Sequence, residues 1–247
     1  MNPIAVVTGG NRGIGRAVAD LFLQKHYAVA VCSRSPRDPT LSSEIFHACL
    51  DVSQREQVFL FVETVIQRFG GLDVFVNCAG ISRWRAIGAI DETFFHEIMK
   101  TNVLGTLWGC AAAAAVMKEG GAILNVSSLA GKRGSTHNSV YCAAKFAVNG
   151  ITQSLAKELG SRGIRVNAVC PVYVETPQIR WALEEPDSPA HGQSVESYLA
   201  SFAATQTALG KLPTTQEVAQ VAYFLTSPSA SAITGQCINV DCGTLPG

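Results

Sequence analysis

The chain has 247 residues, 47% hydrophobic and 15% charged, which departs from the low hydrophobicity and high net charge of disordered sequences. Nineteen basic and nineteen acidic residues cancel to a formal charge of zero, so no basic field is present to track nucleic-acid phosphates. The start, Met1-Asn2-Pro3-Ile4, lacks a basic region followed by an apolar run, and the alanine-rich stretch from Trp108 to Met117 is too short for a membrane span. A soluble cytoplasmic protein with no membrane or nucleic-acid partner is expected.

Ile4 to Thr8 is a continuous apolar run ending at glycines, the pattern of a parallel strand buried on both faces. Similar runs follow at Ala28 to Cys32, Phe46 to Leu50, Val74 to Asn77, Ala122 to Val126, Val166 to Cys170 and Cys237 to Val240. Between them, helical spacing marks Ile14 to Lys25, Gln54 to Phe69, one long helix from Glu92 to Met117, and Ser139 to Leu159. The alternation predicts an α/β fold in one domain over residues 1–247, a doubly wound sheet of about seven parallel strands with helices on both faces.

Two connections are irregular. After Cys32, the segment up to Phe46 leaves room for at most a stunted turn of helix, although parallel crossovers usually need a dozen or more residues. The stretch from Thr176 to Pro213 carries Pro177, Pro186, Pro189 and Pro213 and lacks clean periodicity until about Val195, which predicts a mobile cover loop over a substrate, with a disordered spacer as the alternative. The eight cysteines form no C-x-x-C pair and lie mostly in apolar runs, so buried free thiols are expected rather than disulfides or a metal site.

The turn Thr8-Gly9-Gly10-Asn11-Arg12-Gly13-Ile14-Gly15 joins the first strand to the first helix, where free N–H groups and close backbone approach suit a pyrophosphate. The second strand ends in Cys32-Ser33-Arg34, with no acid to hold an adenosine ribose. Arg34, helped by Arg12, offers a donor fork for a 2'-phosphate, which favours NADP(H) over NAD(H). Asp51, with Val52, ends the third strand, and Asn77-Cys78-Ala79-Gly80 ends the fourth, both at the edge where such sheets bind ligands.

Tyr141 and Lys145 lie four residues apart in a helical pattern and so share one face. A nearby ammonium favours the phenolate, which predicts a tyrosine pKa below its usual value of about 10. Ser128 ends the fifth strand, where a hydroxyl can bond a substrate oxygen beside the tyrosine. Asn102 falls inside the long fourth helix, against propensity, and a local distortion holding a water is one explanation. Arg83, Trp84, Arg85, Tyr173, Gln178 and Trp181 are candidate pocket or rim residues.

Together these motifs resemble the short-chain dehydrogenase/reductase family, with Pro171 and Thr176 and the segment Ile233 to Asp241 also in the family's order. The nearest flavour is that of beta-ketoacyl-acyl carrier protein reductases and related carbonyl reductases. The resemblance implies catalytic Tyr141, Ser128, Lys145 and Asn102: respectively proton donor, carbonyl-orienting hydroxyl, ribose-holding ammonium and water-positioning amide. It also implies cofactor contacts from Gly9, Asn11, Arg12, Gly13, Ile14, Gly15, Ser33, Arg34, Asp51, Val52, Asn77, Ala79, Gly80, Tyr141, Lys145, Pro171, Val174 and Thr176, and requires no metal.

Departures from the usual family pattern occur at Cys78, Val172 and Cys242. The expected reaction is NADP(H)-dependent interconversion of a ketone and a secondary alcohol on a small-molecule or acyl-carrier-linked carbonyl substrate. An NAD(H)-dependent alcohol dehydrogenase and a non-catalytic dinucleotide sensor are the alternatives. Relatives associate through the two long helices and the last strand, which implies a homo-oligomer, a dimer or tetramer.

Overall fold

The computed structural model describes residues 2–246. Seven strands form one parallel sheet: β1 (Ile4–Thr8), β2 (Ala28–Ser33), β3 (Phe46–Cys49), β4 (Val74–Asn77), β5 (Ala122–Val126), β6 (Arg165–Pro171) and β7 (Cys237–Val240). Their spatial order is β3-β2-β1-β4-β5-β6-β7, so the chain reverses direction across the sheet between β1 and β4. In open parallel sheets, that reversal point leaves a crevice at the carboxyl edge where ligands bind.

The described residues form eight α-helices, most of them packed on the two faces of the sheet: α1 (Gly13–Gln24), α2 (Arg55–Phe69), α3 (Glu92–Met99), α4 (Gly105–Val116), α5 (Ser139–Leu159), α6 (Pro177–Leu183), α7 (Val195–Gln206) and α8 (Thr215–Thr226). Strand side chains alternate between faces, and β1 shows the consequence. Ile4 and Val6 join the core under α2, α4 and α5, while Ala5 and Val7 join the core under α1 and α8. All five residues of β1 are buried, which is why its sequence is continuously apolar. Among the described residues, no helix is long and apolar enough to cross a membrane.

The β2–β3 crossover contains no helix, as its length implied. Leu41 and Ile45 drop into the core, and the Arg37 guanidinium donates to the carbonyls of Ile45, at 2.8 Å, Leu41, at 3.0 Å, and Ser42. One arginine thus stands in for internal hydrogen bonds that a helix would supply.

The stretch expected as one helix from Glu92 to Met117 is divided. Residues Lys100–Leu104 form a turn of π-helix between α3 and α4, with Asn102 at its centre. The distortion expected at Asn102 is therefore present, and π-turns of this kind concentrate at functional sites.

The segment expected as a mobile cover loop is largely helical and tied down. Thr176 caps α6 by accepting from Ile179 N, and Pro177 follows at the first helical position. Ala182, Leu183, Ala190, Val195 and Leu199 pack around Trp84 in a small core of their own. Helix α8, unmarked in the strand-and-helix pattern, begins with a capping box between Thr214 and Glu217.

Candidate active site

At the carboxyl edge of the sheet lies a cavity of about 1020 Å³. Its floor is the glycine turn between β1 and α1. Gly9 has φ of +70°, and a Cβ there would stand 2.9 Å from the Ala79 Cα, so only glycine lets the ends of β1 and β4 approach this closely. Both Cys78 N–H and Ala79 N–H donate to Thr8 Oγ1 at 3.1 Å, which locks the two turns together.

Every sequence-expected site residue except Asn77 lies on the wall of this cavity. Asn77 is a correction: its side chain is buried behind the wall, donating to Asn125 Oδ1 at 2.9 Å and to Cys110 Sγ. Asn125 in turn donates to Thr152 Oγ1 at 2.9 Å, so this buried amide chain joins β4, β5 and α5 beneath the site. Asn11 is on the wall, but its amide is engaged. It donates to Ser35 Oγ and Pro36 O and accepts from Asp38 N, holding the short β2–β3 crossover against the glycine turn.

At the end of β2, Arg34 is exposed, and its guanidinium has no protein partner within hydrogen-bond or ion-pair distance among the described residues. Nearby arginines differ: Arg16 is paired with Asp20, and Arg37 is taken up by carbonyls. Arg12 lies over the Trp181 ring at 5.5 Å. The glycine cradle and these two cations on one rim fit a dinucleotide. The glycine backbone would hold the pyrophosphate, and Arg34 would stand at the ribose end.

On the other side, Tyr141 and Lys145 project from α5, with the Lys145 Nζ 5.7 Å from the Tyr141 ring centroid. Lys145 is 6% exposed and donates to Val126 O at 2.8 Å. Ser128 sits on a short turn pinned to α5, because Asn149 donates to Gly131 O and Ser127 donates to Lys145 O. The Ser128 and Ser82 hydroxyls both lie near the Tyr141 phenol and favour its charged form. Ser82, five residues beyond β4, had no motif in the sequence to mark it.

The expected lowering of the tyrosine pKa is overturned. Desolvation within the cavity walls pushes Tyr141 up to about 12, outweighing the two nearby serine hydroxyls that favour its charged form. The same desolvation brings Lys145 down to about 8. A phenol in this state is a proton donor, and its neighbour is an ammonium at neutral pH.

Asn102 is 1% exposed and donates to Ile81 O and Ile98 O, both at 2.9 Å, while accepting from Ile81 N at 3.2 Å. Its side chain fastens the π-turn to the irregular segment that follows Gly80. A Cβ on Gly80 would lie 2.6 Å from Asn102 Oδ1, so glycine is required there too.

The cover closes the far side. Gln178 donates across the cavity to Gly80 O at 2.7 Å. Glu185 accepts from Arg83 and from Trp84 N, and Asp187 accepts from Ala86 N at 3.0 Å. Trp84, Tyr173 and Gln178 reach the cavity, as expected, whereas Arg83, Arg85 and Trp181 do not line it. Arg83 instead bridges Glu97 and Glu185, and both Arg83 and Arg85 lie over the Phe94 ring. Among the described residues, no group of three His, Cys, Asp or Glu side chains could hold a metal ion.

Residues 9–244 match the family model described as Enoyl-(Acyl carrier protein) reductase. The chain is 37% identical to the diacetyl reductase [(S)-acetoin forming] of Staphylococcus aureus, over 98% of this chain and 97% of that protein. It is 32% identical to the 3-oxoacyl-[acyl-carrier-protein] reductase FabG of Chlamydia muridarum, again over 98% and 97%. The solved structure of ElxO with NADP bound superposes with a TM-score of 0.85 at 30% identity, covering 99% of each chain. With its seven parallel strands, glycine cradle and Ser-Tyr-Lys constellation, the chain belongs to the short-chain dehydrogenase/reductase family of nicotinamide-dependent oxidoreductases.

Proposed function

We propose that the protein is an NADP(H)-dependent oxidoreductase interconverting a ketone and a secondary alcohol, acting mainly as a carbonyl reductase. The observation that carries this reading is the convergence of Ser128, Tyr141 and Lys145 on one cavity whose opposite rim holds the unpartnered Arg34 guanidinium. The names of the relatives, a diacetyl reductase and a beta-ketoacyl reductase, support carbonyl reduction. The NADP-bound neighbour supports the phosphate-bearing cofactor.

The bound nicotinamide supplies hydride chemistry, and the chain's own residues manage the oxygen. Ser128 and Tyr141 place two hydroxyls on the carbonyl oxygen, where negative charge develops as the carbonyl is reduced. Tyr141, held as a phenol by desolvation, gives that oxygen its proton. The Lys145 ammonium lies beside the ring and stabilises the phenolate left behind. Asn102 secures the π-turn that shapes the wall between Gly80 and Lys145.

Titration of the purified protein with NADPH and NADH tests the reading, followed by oxidation of each cofactor with small diketones, aromatic ketones and beta-ketoacyl thioesters. Tighter NADPH binding with turnover is expected. Failure to bind either nucleotide would overturn the cofactor assignment. A homo-oligomer, dimer or tetramer, is part of the same reading. Phe146 on α5 and Ile238 on β7 are apolar and 49% and 36% exposed, and light scattering should give a mass above that of one chain.

A further inference from the structure

Beyond Tyr141, the cavity runs into a region built, among the described residues, from three aromatic rings and one free cation. Tyr173, two residues after Pro171, donates to or accepts from the Tyr198 hydroxyl of α7 at 3.0 Å. The Phe202 ring stands edge-on to Tyr173, with centroids 4.8 Å apart. These rings form an apolar wall whose polar ends are the two phenol oxygens.

Arg133 faces them from the turn that follows Ser128. Its backbone is fixed, with its N–H donating to Leu129 O at 3.0 Å and its carbonyl accepting from Cys142 Sγ. Its side chain lines the cavity and is exposed, with no carboxylate within ion-pair distance among the described residues. The positive charge reaches both phenols, pulling each pKa down against the larger effect of burial.

The other charges in this half of the cavity are committed. Asp187 accepts from Ala86 N, and Lys145 donates to Val126 O. His137 places its ring Nδ1 against Asp187 O at 3.3 Å. Among the described residues, Arg133 is therefore the one unengaged full charge on the substrate side. A guanidinium offers paired donors matched to carboxylate or phosphate oxygens.

We propose that Arg133, with the Tyr173–Tyr198 hydroxyls, binds an anionic group of the substrate, so that the ketone reduced at Tyr141 carries a carboxylate or phosphate beyond an apolar spacer lying against Tyr173 and Phe202. The inference rests on the reductase reading for the ketone but not for the anion site. Neutral diketones and thioesters are then accepted without using Arg133.

Calorimetric titration of the protein, with and without saturating NADP+, separates the two claims. The ligands are levulinate and its longer homologues, their methyl esters, hydroxyacetone, and hydroxyacetone phosphate. The expected result is acid binding about tenfold or more tighter than the matched ester, with Arg133→Gln removing the difference and leaving ester affinity unchanged. Arg133→Lys should retain part of the preference. Whichever anion gains more over its neutral partner identifies the group as carboxylate or phosphate.

Equal binding of acids and neutral partners by the unsubstituted protein, or equal weakening of both by Arg133→Gln, would overturn the proposal and leave the reductase reading standing. Arg133-dependent binding of the acids without oxidation of NADPH or NADH by any ketone would do the reverse.

Discussion

Lys145 is hydrogen-bonded through Nζ to the carbonyl oxygen of Val126, the last residue of β5, at 2.8 Å. That bond ties the ammonium to the carboxyl edge of the sheet, and helix α5 carries Tyr141 one turn earlier on the same face. The placement of the proposed proton donor and its supporting charge at the sheet edge is thus set by the docking of α5 on β5, through Lys145 above and the Asn125–Thr152 bond below. The site inherits its rigidity from the sheet rather than from the loops around it.

The pH dependence follows from those two groups. Burial holds Lys145 down to about 8 and pushes Tyr141 up to about 12. Rising pH therefore removes the lysine proton first, and with it the charge that stabilises the phenolate. In the reductive direction, kcat/KM for the cofactor, which reports on the free enzyme, should be flat at neutral pH and fall as pH rises through about 8. A profile flat well past that point would show that Lys145 keeps its proton, contrary to its burial.

Replacing Tyr141 by Phe removes the proton donor while keeping the ring that fills the wall. Turnover should fall about 10²- to 10⁴-fold, the usual range for a lost general acid. Cofactor affinity should change little, because Lys145 and the glycine cradle are untouched. Stopped-flow reduction and a nucleotide titration on the same preparation separate the two effects, and undiminished turnover would remove Tyr141 from its role.

Much of this arrangement was legible in the sequence, for identifiable reasons. A strand covered on both faces is apolar throughout, so β1, β4 and β5 stand out with their observed boundaries, while the edge strand β7 was legible only from its short run Cys237 to Val240. The helix after β4 was legible as a helix with a local distortion at Asn102, but not as two helices split by a π-turn, because that turn depends on Asn102 reaching Ile81, a contact distant in sequence. Helices α6 and α8 escaped the periodicity reading because α6 is short and lies between prolines, Pro177 at its start and Pro186 just beyond its end, and α8 follows closely on Pro213. Their caps were nonetheless written in the chain, as Thr176-Pro177 and as Thr214 with Glu217. Asn77 was misplaced for a different reason: position at a strand end does not say which way the side chain turns. The tyrosine pKa depends on how far the cavity walls exclude water, which spacing does not encode.

Arg34 is the residue on which cofactor choice should turn. Its guanidinium is unpartnered, so its removal leaves no buried charge behind and should not disturb folding. Hydrogen bonds to charged groups contribute about 1.5–3 kcal/mol, so Arg34→Ser should weaken NADPH binding roughly 10- to 100-fold and leave NADH binding nearly unchanged. Arg34→Asp should go further and invert the preference, since a carboxylate repels the 2'-phosphate and accepts from a ribose hydroxyl. Parallel titrations with both nucleotides check this; a loss shared equally by the two would mean that Arg34 does not meet the phosphate.

Asn102 separates a structural role from a chemical one. The resemblance to known reductases implies an amide that positions water, yet here both ends of that amide are engaged by Ile81 and Ile98. Truncation to Ala would leave one buried N–H and two carbonyls without their partner, at about 1–3 kcal/mol for an unsatisfied group. Asn102→Ala should therefore destabilise the fold by about 2–5 kcal/mol, visible as a lower urea midpoint with an unchanged slope. Asn102→Asp should be no better, because a carboxylate keeps the bond from Ile81 N–H but turns an oxygen toward two carbonyls. Any loss of turnover should accompany a weaker π-turn, detectable as faster amide exchange through Lys100 to Leu104. If Asn102→Ala instead lowered turnover with the urea midpoint and the exchange rates unchanged, the amide would act on the chemistry directly, and its three hydrogen bonds would be incidental to folding.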